Sequence, residues 1–128
     1  MGKYSDDEWY LKEKEKYISE YGEIPPHWIV FPDSHPYSIM WRMGAGETFV
    51  MVFSNWFEDN YKEEKNRIDF FLKYPPPPRW METMASYIWE EIPMEDFEKS
   101  KYLERIKELG FSGTEKYLSD LEDPKWLA

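Results

Sequence analysis

The sequence contains no cysteine among its 128 residues, which excludes disulfide bonds, thiolate nucleophiles and cysteine-ligated metals. Long apolar runs are missing as well, because no stretch approaches the roughly 18 consecutive apolar residues of a membrane-spanning helix. The first residues, MGKYSDDEWYLKEKEK, are charged and lack the apolar centre of a signal peptide. We therefore expect a cytoplasmic protein that does not associate with membranes.

Positive charge is scarce. Sixteen Lys and Arg residues stand against 26 Asp and Glu residues, so the formal net charge is −10. This balance disfavours direct binding to nucleic acid or to anionic membranes, because both require a basic patch. It favours a protein partner with a basic surface and leaves the oligomeric state open. The acidic residues that we expect to contact such a partner are Glu90, Glu91, Glu95 and Asp96.

Aromatic residues, in contrast, are abundant at 20% of the chain. Each buried ring removes roughly 150–250 Å² from water, so a substantial core can form. The length fits one globular domain over residues 1–128. Residues 25–57 contain only three charged side chains, Asp33, Arg42 and Glu47, which indicates that the apolar centre of the fold lies there.

Periodicity and capping signals predict a mainly α fold, a compact bundle of about six short helices with Pro-rich connections. A capping box at Ser5–Glu8 should open the first helix, and Gly22 should end it. The stretch 27–36, with two prolines, is expected to be an irregular loop. The run Pro75–Pro78 should form a rigid elbow between helices rather than a ligand for an SH3-like partner.

Signals in the C-terminal third predict two further helices. Pro93 suits the first turn of one of them, and Gly110 should end it in the left-handed conformation. Phe111 would then fold back on Ile106 in a Schellman motif. A second capping box at residues 112–115 should open the last short helix.

The stretch PYSIMWRMGAGETFVMVFSNWF, residues 36–57, supports two interpretations. Alternation from Tyr37 to Met43 is typical of a strand, so an α+β fold with a hairpin at 37–53 is the alternative. Phe49, Phe53 and the residues after them follow helical spacing. Because this spacing continues well past residue 57, we expect a helix that starts near Glu47 and continues towards residue 72.

No motif in the chain assigns a catalytic residue, a metal ligand or a cofactor, so we do not expect an enzyme. The GAGE stretch lacks the following lysine of a phosphate-binding loop and predicts a structural turn. Asp33, Ser34 and His35 are adjacent in sequence, whereas a catalytic triad is assembled from separate segments. His27 and His35 lack the spacing of helical metal ligands.

Arg42 and Glu47 are the most informative polar pair. One interpretation is a structural ion pair across the Gly44–Gly46 bend. The other is a ligand pocket with polar and aromatic walls, whose candidate residues are His35, Tyr37, Trp41, Arg42, Glu47 and Arg79. The negative charge, the small size, the acidic helices and the lack of catalytic motifs favour the first of two functional hypotheses, and the aromatic pocket is the basis of the second. The first is a small acidic protein that acts through protein–protein interaction, such as an inhibitor or immunity-type protein. The second is a ligand-binding or enzymatic domain.

Overall fold

The computed structural model describes residues 3–89, 97 and 101–127, and the chain divides into two units, Met1–Glu63 and Glu64–Ala128. Seven α-helices and several 3₁₀ turns occupy the described ranges, in which no strand occurs. The predicted mainly α fold is therefore confirmed, and the alternative hairpin at 37–53 is wrong. A single domain over residues 1–128 stays a prediction, so each unit is described by itself.

The N-terminal unit contains three α-helices and one 3₁₀ turn. They are α1 (Glu8–Tyr21), α2 (His27–Val30), the 3₁₀ turn Ile39–Arg42 and α3 (Gly44–Asn60). Helix α1 ends as predicted: Gly22 has φ 86°, and its N–H donates to the Ile18 carbonyl at 2.8 Å. The predicted capping box is wrong, because the Ser5 hydroxyl donates to the Asp59 carboxylate at 2.5 Å instead of capping α1.

The first part of the stretch 27–36 is helical, so the prediction of an irregular loop is wrong there. One helical turn, α2, follows Pro26, whose carbonyl accepts the N–H groups of Ile29 and Val30 at 3.0 and 3.3 Å. Proline is compatible with the start of a helix, since it lacks only an N–H that no intrahelical acceptor would use. Because α2 has only four residues, it is too short to produce a recognisable apolar periodicity in the sequence.

Helix α3 begins at Gly44, three positions before the expected start at Glu47. Its buried apolar face follows the predicted spacing and consists of Phe49, Val52, Phe53, Trp56 and Phe57. The helix ends at Asn60, where the N–H of Tyr61 donates to the Phe57 carbonyl at 2.8 Å. The expected continuation towards residue 72 is instead a separate helix.

In the described part of the C-terminal unit, residues 64–89, 97 and 101–127, there are four α-helices and several 3₁₀ turns. In chain order they are α4 (Glu64–Lys73), the turn Pro78–Trp80, α5 (Met81–Trp89), α6 (Lys101–Glu108), the turn Thr114–Lys116, α7 (Tyr117–Leu121) and the turn Pro124–Leu127. The proline run ends α4 as predicted, because proline lacks the N–H that would continue the helix. The expected helix start at Pro93 lies outside the described residues.

The end of α6 forms the predicted Schellman motif. Gly110 has φ 104°, its N–H donates to the Lys107 carbonyl at 3.1 Å, and the Phe111 N–H donates to the Ile106 carbonyl at 3.3 Å. The second capping box, predicted at residues 112–115, is wrong, because the residue at the N-cap is Gly113, which has no side chain to cap the turn. Gly113, at φ 89°, precedes the 3₁₀ turn, and a β-carbon on it would lie 3.1 Å from a Pro78 side-chain carbon.

Candidate functional site

An aromatic cluster occupies the centre of the N-terminal unit, and His27 lies inside it. The imidazole is 3% exposed, and its ring centroid lies 5.1 to 5.3 Å from those of Trp41, Phe49 and Phe53. Burial lowers the pKa of His27 from 6.5 to about 3, because the charged imidazolium would lose its hydration. His27 is therefore a neutral core side chain and a weak base, poorly suited to acid–base chemistry near neutral pH.

Three of the predicted pocket residues, His35, Tyr37 and Trp41, lie together in the turn that precedes α3. The Tyr37 N–H donates to Nδ1 of His35 at 3.0 Å, and the two rings are 5.5 Å apart. The Trp41 indole N–H donates to the His35 carbonyl at 2.8 Å. The Ser38 hydroxyl accepts the Met40 N–H at 3.3 Å, which begins the 3₁₀ turn. These bonds give the turn a defined conformation.

The turn packs directly against α3 through glycine. A β-carbon on Gly46 would lie 2.1 Å from the Met40 carbonyl oxygen, so only glycine allows this approach. Gly44, the first residue of α3, has φ 58°. The Trp41 ring contacts Phe31 and Phe49, with centroid distances of 5.5 and 6.4 Å. The GAGE stretch is thus the first turn of α3, and the structural turn predicted there is wrong.

The outward side of this turn carries exposed apolar side chains. Tyr37, Ile39 and Met43 are 65%, 66% and 57% exposed, and we refer to residues 37–43 as the apolar turn. Sequence reasoning missed Ile39 and Met43 as site residues. The signal was the apolar alternation that we interpreted as a strand; in the structure only Trp41 of these positions packs inward. Such a surface suits apolar contact with another molecule.

Arg42 and Glu47 are not brought together. Both side chains are exposed, and the described part of the chain contains no ion pair between them. Glu47 lies in the first turn of α3, where a carboxylate interacts favourably with the helix dipole. Their role in binding a ligand stays a prediction.

Arg79 belongs to the C-terminal unit and is already neutralised there. Its guanidinium Nη1 lies 3.3 Å from Oδ2 of Asp120, which also accepts the Arg79 backbone N–H at 2.9 Å. The Trp126 ring centroid lies 4.1 Å from the guanidinium carbon. An open cleft of about 430 Å³ borders the pair. Sequence reasoning missed both Asp120 and Trp126 as partners of Arg79.

The remaining predictions concern acidic residues, metals and membranes. Glu90, Glu91, Glu95 and Asp96 lie outside the described residues. Within the described ranges, no group of three or more His, Asp or Glu side chains could hold a metal ion. None of the described helices combines the length and apolar character needed to cross a membrane.

Comparisons with protein-family models, curated proteins and solved structures find no match for this chain. Arguments about function therefore rest on the geometry of the apolar turn, the buried aromatic cluster and the Arg79–Asp120 pair. Of these three, the aromatic cluster is enclosed by the protein itself, whereas the Arg79–Asp120 pair is already neutralised and borders an open cleft. The apolar turn presents large apolar groups to the outside, and three of its side chains are more than half exposed.

Proposed function

We propose that the protein acts through protein–protein interaction, with the apolar turn as its contact surface and a basic protein as its partner. The observation that carries this proposal is the exposure of Tyr37, Ile39 and Met43 within seven consecutive residues. An inhibitor or immunity-type role is the form of interaction that best suits a small acidic chain. The cytoplasmic location stays a prediction.

The energetics of burial support a contact at the apolar turn. Covering an exposed Ile or Met side chain contributes about 1.5–3 kcal/mol, although association itself costs part of this gain. Tyrosine and methionine are enriched at the centres of protein interfaces. Tyr37 adds a hydroxyl that can form a hydrogen bond at the edge of the contact.

The defined conformation of the turn also supports binding. The bonds from Tyr37 and Trp41 to His35 already fix the backbone, and Gly46 holds the turn against α3. A surface that is ordered before binding loses less conformational entropy when a partner docks. The apolar turn therefore presents its side chains at a low entropic cost.

The negative charge of the N-terminal unit supports the proposal that the partner has a basic surface. The N-terminal unit, residues 1–63, contains 12 acids and 6 bases, so its formal net charge is 6 − 12 = −6. A field of this sign speeds the approach of a positively charged protein and opposes the approach of a second acidic copy. Added salt screens this attraction, so it should slow association and weaken capture.

A capture experiment with matched variants tests the proposal. The immobilised wild-type protein is compared with the double variant Tyr37→Ser/Ile39→Ser and with the control Leu72→Ser, in which an exposed leucine of the C-terminal unit is replaced. Each is incubated with cell extract at low and high salt, and captured proteins are quantified by mass spectrometry. Circular dichroism confirms that all three proteins are folded.

The expected result is a basic protein that wild type and Leu72→Ser retain equally at low salt. Its capture should fall at high salt and be lost in the double variant. Equal capture by the double variant would overturn the assignment of the apolar turn. The absence of any captured protein under all conditions would count against interaction as the function.

A further inference from the structure

His35 accepts a hydrogen bond that it can make only while it is neutral. Its Nδ1 accepts the Tyr37 N–H at 3.0 Å, and the side chain is partly exposed, so water can reach it. A neutral imidazole has one acceptor nitrogen, whereas the imidazolium has two donors and no acceptor. Protonation would place two N–H groups against each other at this contact.

We propose that His35 regulates the apolar turn, so that protonation of His35 releases Tyr37 and weakens partner binding below neutral pH. The proposal rests on the proposed function, because it concerns the same surface. Tyr37 is 65% exposed and follows His35 by two residues, so loss of this bond removes the restraint on the Tyr37 N–H and lets its ring shift. Histidine side chains commonly change charge between about pH 5 and 8.

The other bonds to His35 limit the change to Tyr37. The His35 carbonyl accepts the Trp41 indole N–H at 2.8 Å and the Ser38 N–H at 3.0 Å. A carbonyl oxygen accepts in either protonation state of the side chain. Trp41 and the 3₁₀ turn behind it should therefore keep their positions while Tyr37 moves.

The other charged and titratable groups to consider lie on the segment of His35 itself, on the 3₁₀ turn that bonds its carbonyl and on α3, which packs against that turn. The Tyr37 ring lies 5.5 Å away, and Asp33 precedes His35 by two residues. Arg42 on the 3₁₀ turn and Glu47 on α3 are both exposed. His27 is sealed in the aromatic cluster and stays neutral between pH 5.5 and 8, so it does not supply the transition.

Two substitutions separate the hydrogen bond from the charge. In His35→Asn, the side-chain oxygen can accept the N–H two residues later, as in an Asx turn, and does not titrate. In His35→Leu, no acceptor is present at any pH. The amide signal and hydrogen exchange of Tyr37 are followed by NMR in the free full-length protein from pH 8 to pH 5.5, with the Trp41 indole N–H as an internal reference.

In wild type, the chemical shift of the Tyr37 amide should change between pH 8 and pH 5.5. After correction for intrinsic rates, this amide should exchange roughly fivefold faster at pH 5.5 than at pH 8. The signal and the exchange of the Trp41 indole N–H should not change. His35→Asn should remain protected throughout, and His35→Leu should exchange fast throughout. A Tyr37 amide that does not titrate in wild type, or that titrates equally in His35→Asn, would overturn the proposal.

Binding is then compared at pH 7.5 and pH 5.5 with the protein captured by wild type. Retention should fall roughly fivefold for wild type and less than about twofold for His35→Asn. Equal losses in both would overturn the link between His35 and binding. If wild type captures nothing at either pH, the proposed function fails, whereas the NMR result still decides whether His35 controls Tyr37.

Discussion

The carbonyl oxygen of Met40 occupies the space that a β-carbon at Gly46 would need. The distance between this oxygen and the ideal β-carbon position is 2.1 Å, far below van der Waals contact. Because the obstacle is backbone rather than a mobile side chain, it cannot rotate away. The apolar turn and the first turn of α3 can therefore meet only through a glycine, which explains the second glycine of GAGE.

Replacement of Gly46 by alanine should destabilise the protein by about 1–3 kcal/mol, because the turn must move away from α3. The shift should also reduce the protection of the Trp41 indole N–H, which bonds the His35 carbonyl in the same turn. Urea unfolding and NMR hydrogen exchange measure the two effects. The control Ala45→Ser changes an exposed neighbour and should alter stability by less than about 0.5 kcal/mol. Equal stability of both variants would show that the turn does not depend on this approach.

The buried His27 should make the protein sensitive to acid. Its pKa is about 3 in the folded state and 6.5 when unfolded, so the unfolded chain binds more protons between these values. The resulting stability is fully present above pH 6.5 and is lost as the pH falls towards 3. At pH 5 the loss from this residue should be about 2 kcal/mol relative to pH 8.

The variant His27→Phe tests this assignment, since phenylalanine suits an aromatic cluster and does not titrate. In urea unfolding from pH 8 to pH 5, wild type should lose about 2 kcal/mol of stability relative to His27→Phe, whatever their difference at pH 8. His35→Asn serves as the control, because the His27 contribution to the pH dependence remains in it. Parallel pH curves for wild type and His27→Phe would contradict the expected role of burial.

The long helices could be predicted from sequence because local spacing determines which side chains share a face. Phe49, Phe53 and Phe57 follow one another at four-residue intervals and are all buried on α3. Gly22 and Gly110 ended helices as expected, since their left-handed conformation is a local property. The fold class could thus be obtained without tertiary information.

Features that depend on distant partners could not be predicted. The Ser5 hydroxyl bonds Asp59, 54 positions later, although its local pattern indicated a helix cap. Arg79 meets Asp120, 41 positions away, and no periodicity signals this pairing.

The 3₁₀ turn at Ile39–Arg42 was missed for a local reason. Over so few residues, its apolar alternation resembles that of a strand.

Replacement of Asp120 by alanine should destabilise the C-terminal unit by about 3 kcal/mol. Arg79 is 6% exposed, and loss of the carboxylate would break its ion pair with Asp120 and remove the acceptor of the Arg79 backbone N–H. Thermal unfolding followed by circular dichroism measures the loss. The control Asp123→Ala removes a nearby acid that bonds only the exposed Lys125 backbone N–H, so its effect should be below about 1 kcal/mol. A similar loss in both variants would argue against a special contribution from the Arg79–Asp120 pair.

Asn55 should hold the N-terminal segment against α3. It is 5% exposed, and its side-chain oxygen accepts the Tyr4 N–H at 2.7 Å while its amide donates to the Ser5 hydroxyl at 3.3 Å. Replacement of Asn55 by alanine leaves the Tyr4 N–H without this acceptor and should cost about 1–3 kcal/mol.

The measurement is limited proteolysis with trypsin, which cleaves after Lys3 close to the lost contact. Asn55→Ala should be cut there several-fold faster than wild type, because the segment detaches more often. The control Asn66→Ala changes an exposed asparagine on α4 and should leave this cleavage rate unaltered. If Asn55→Ala lowers global stability but leaves cleavage at Lys3 unchanged, Asn55 supports the core of the unit and does not restrain its N-terminal segment.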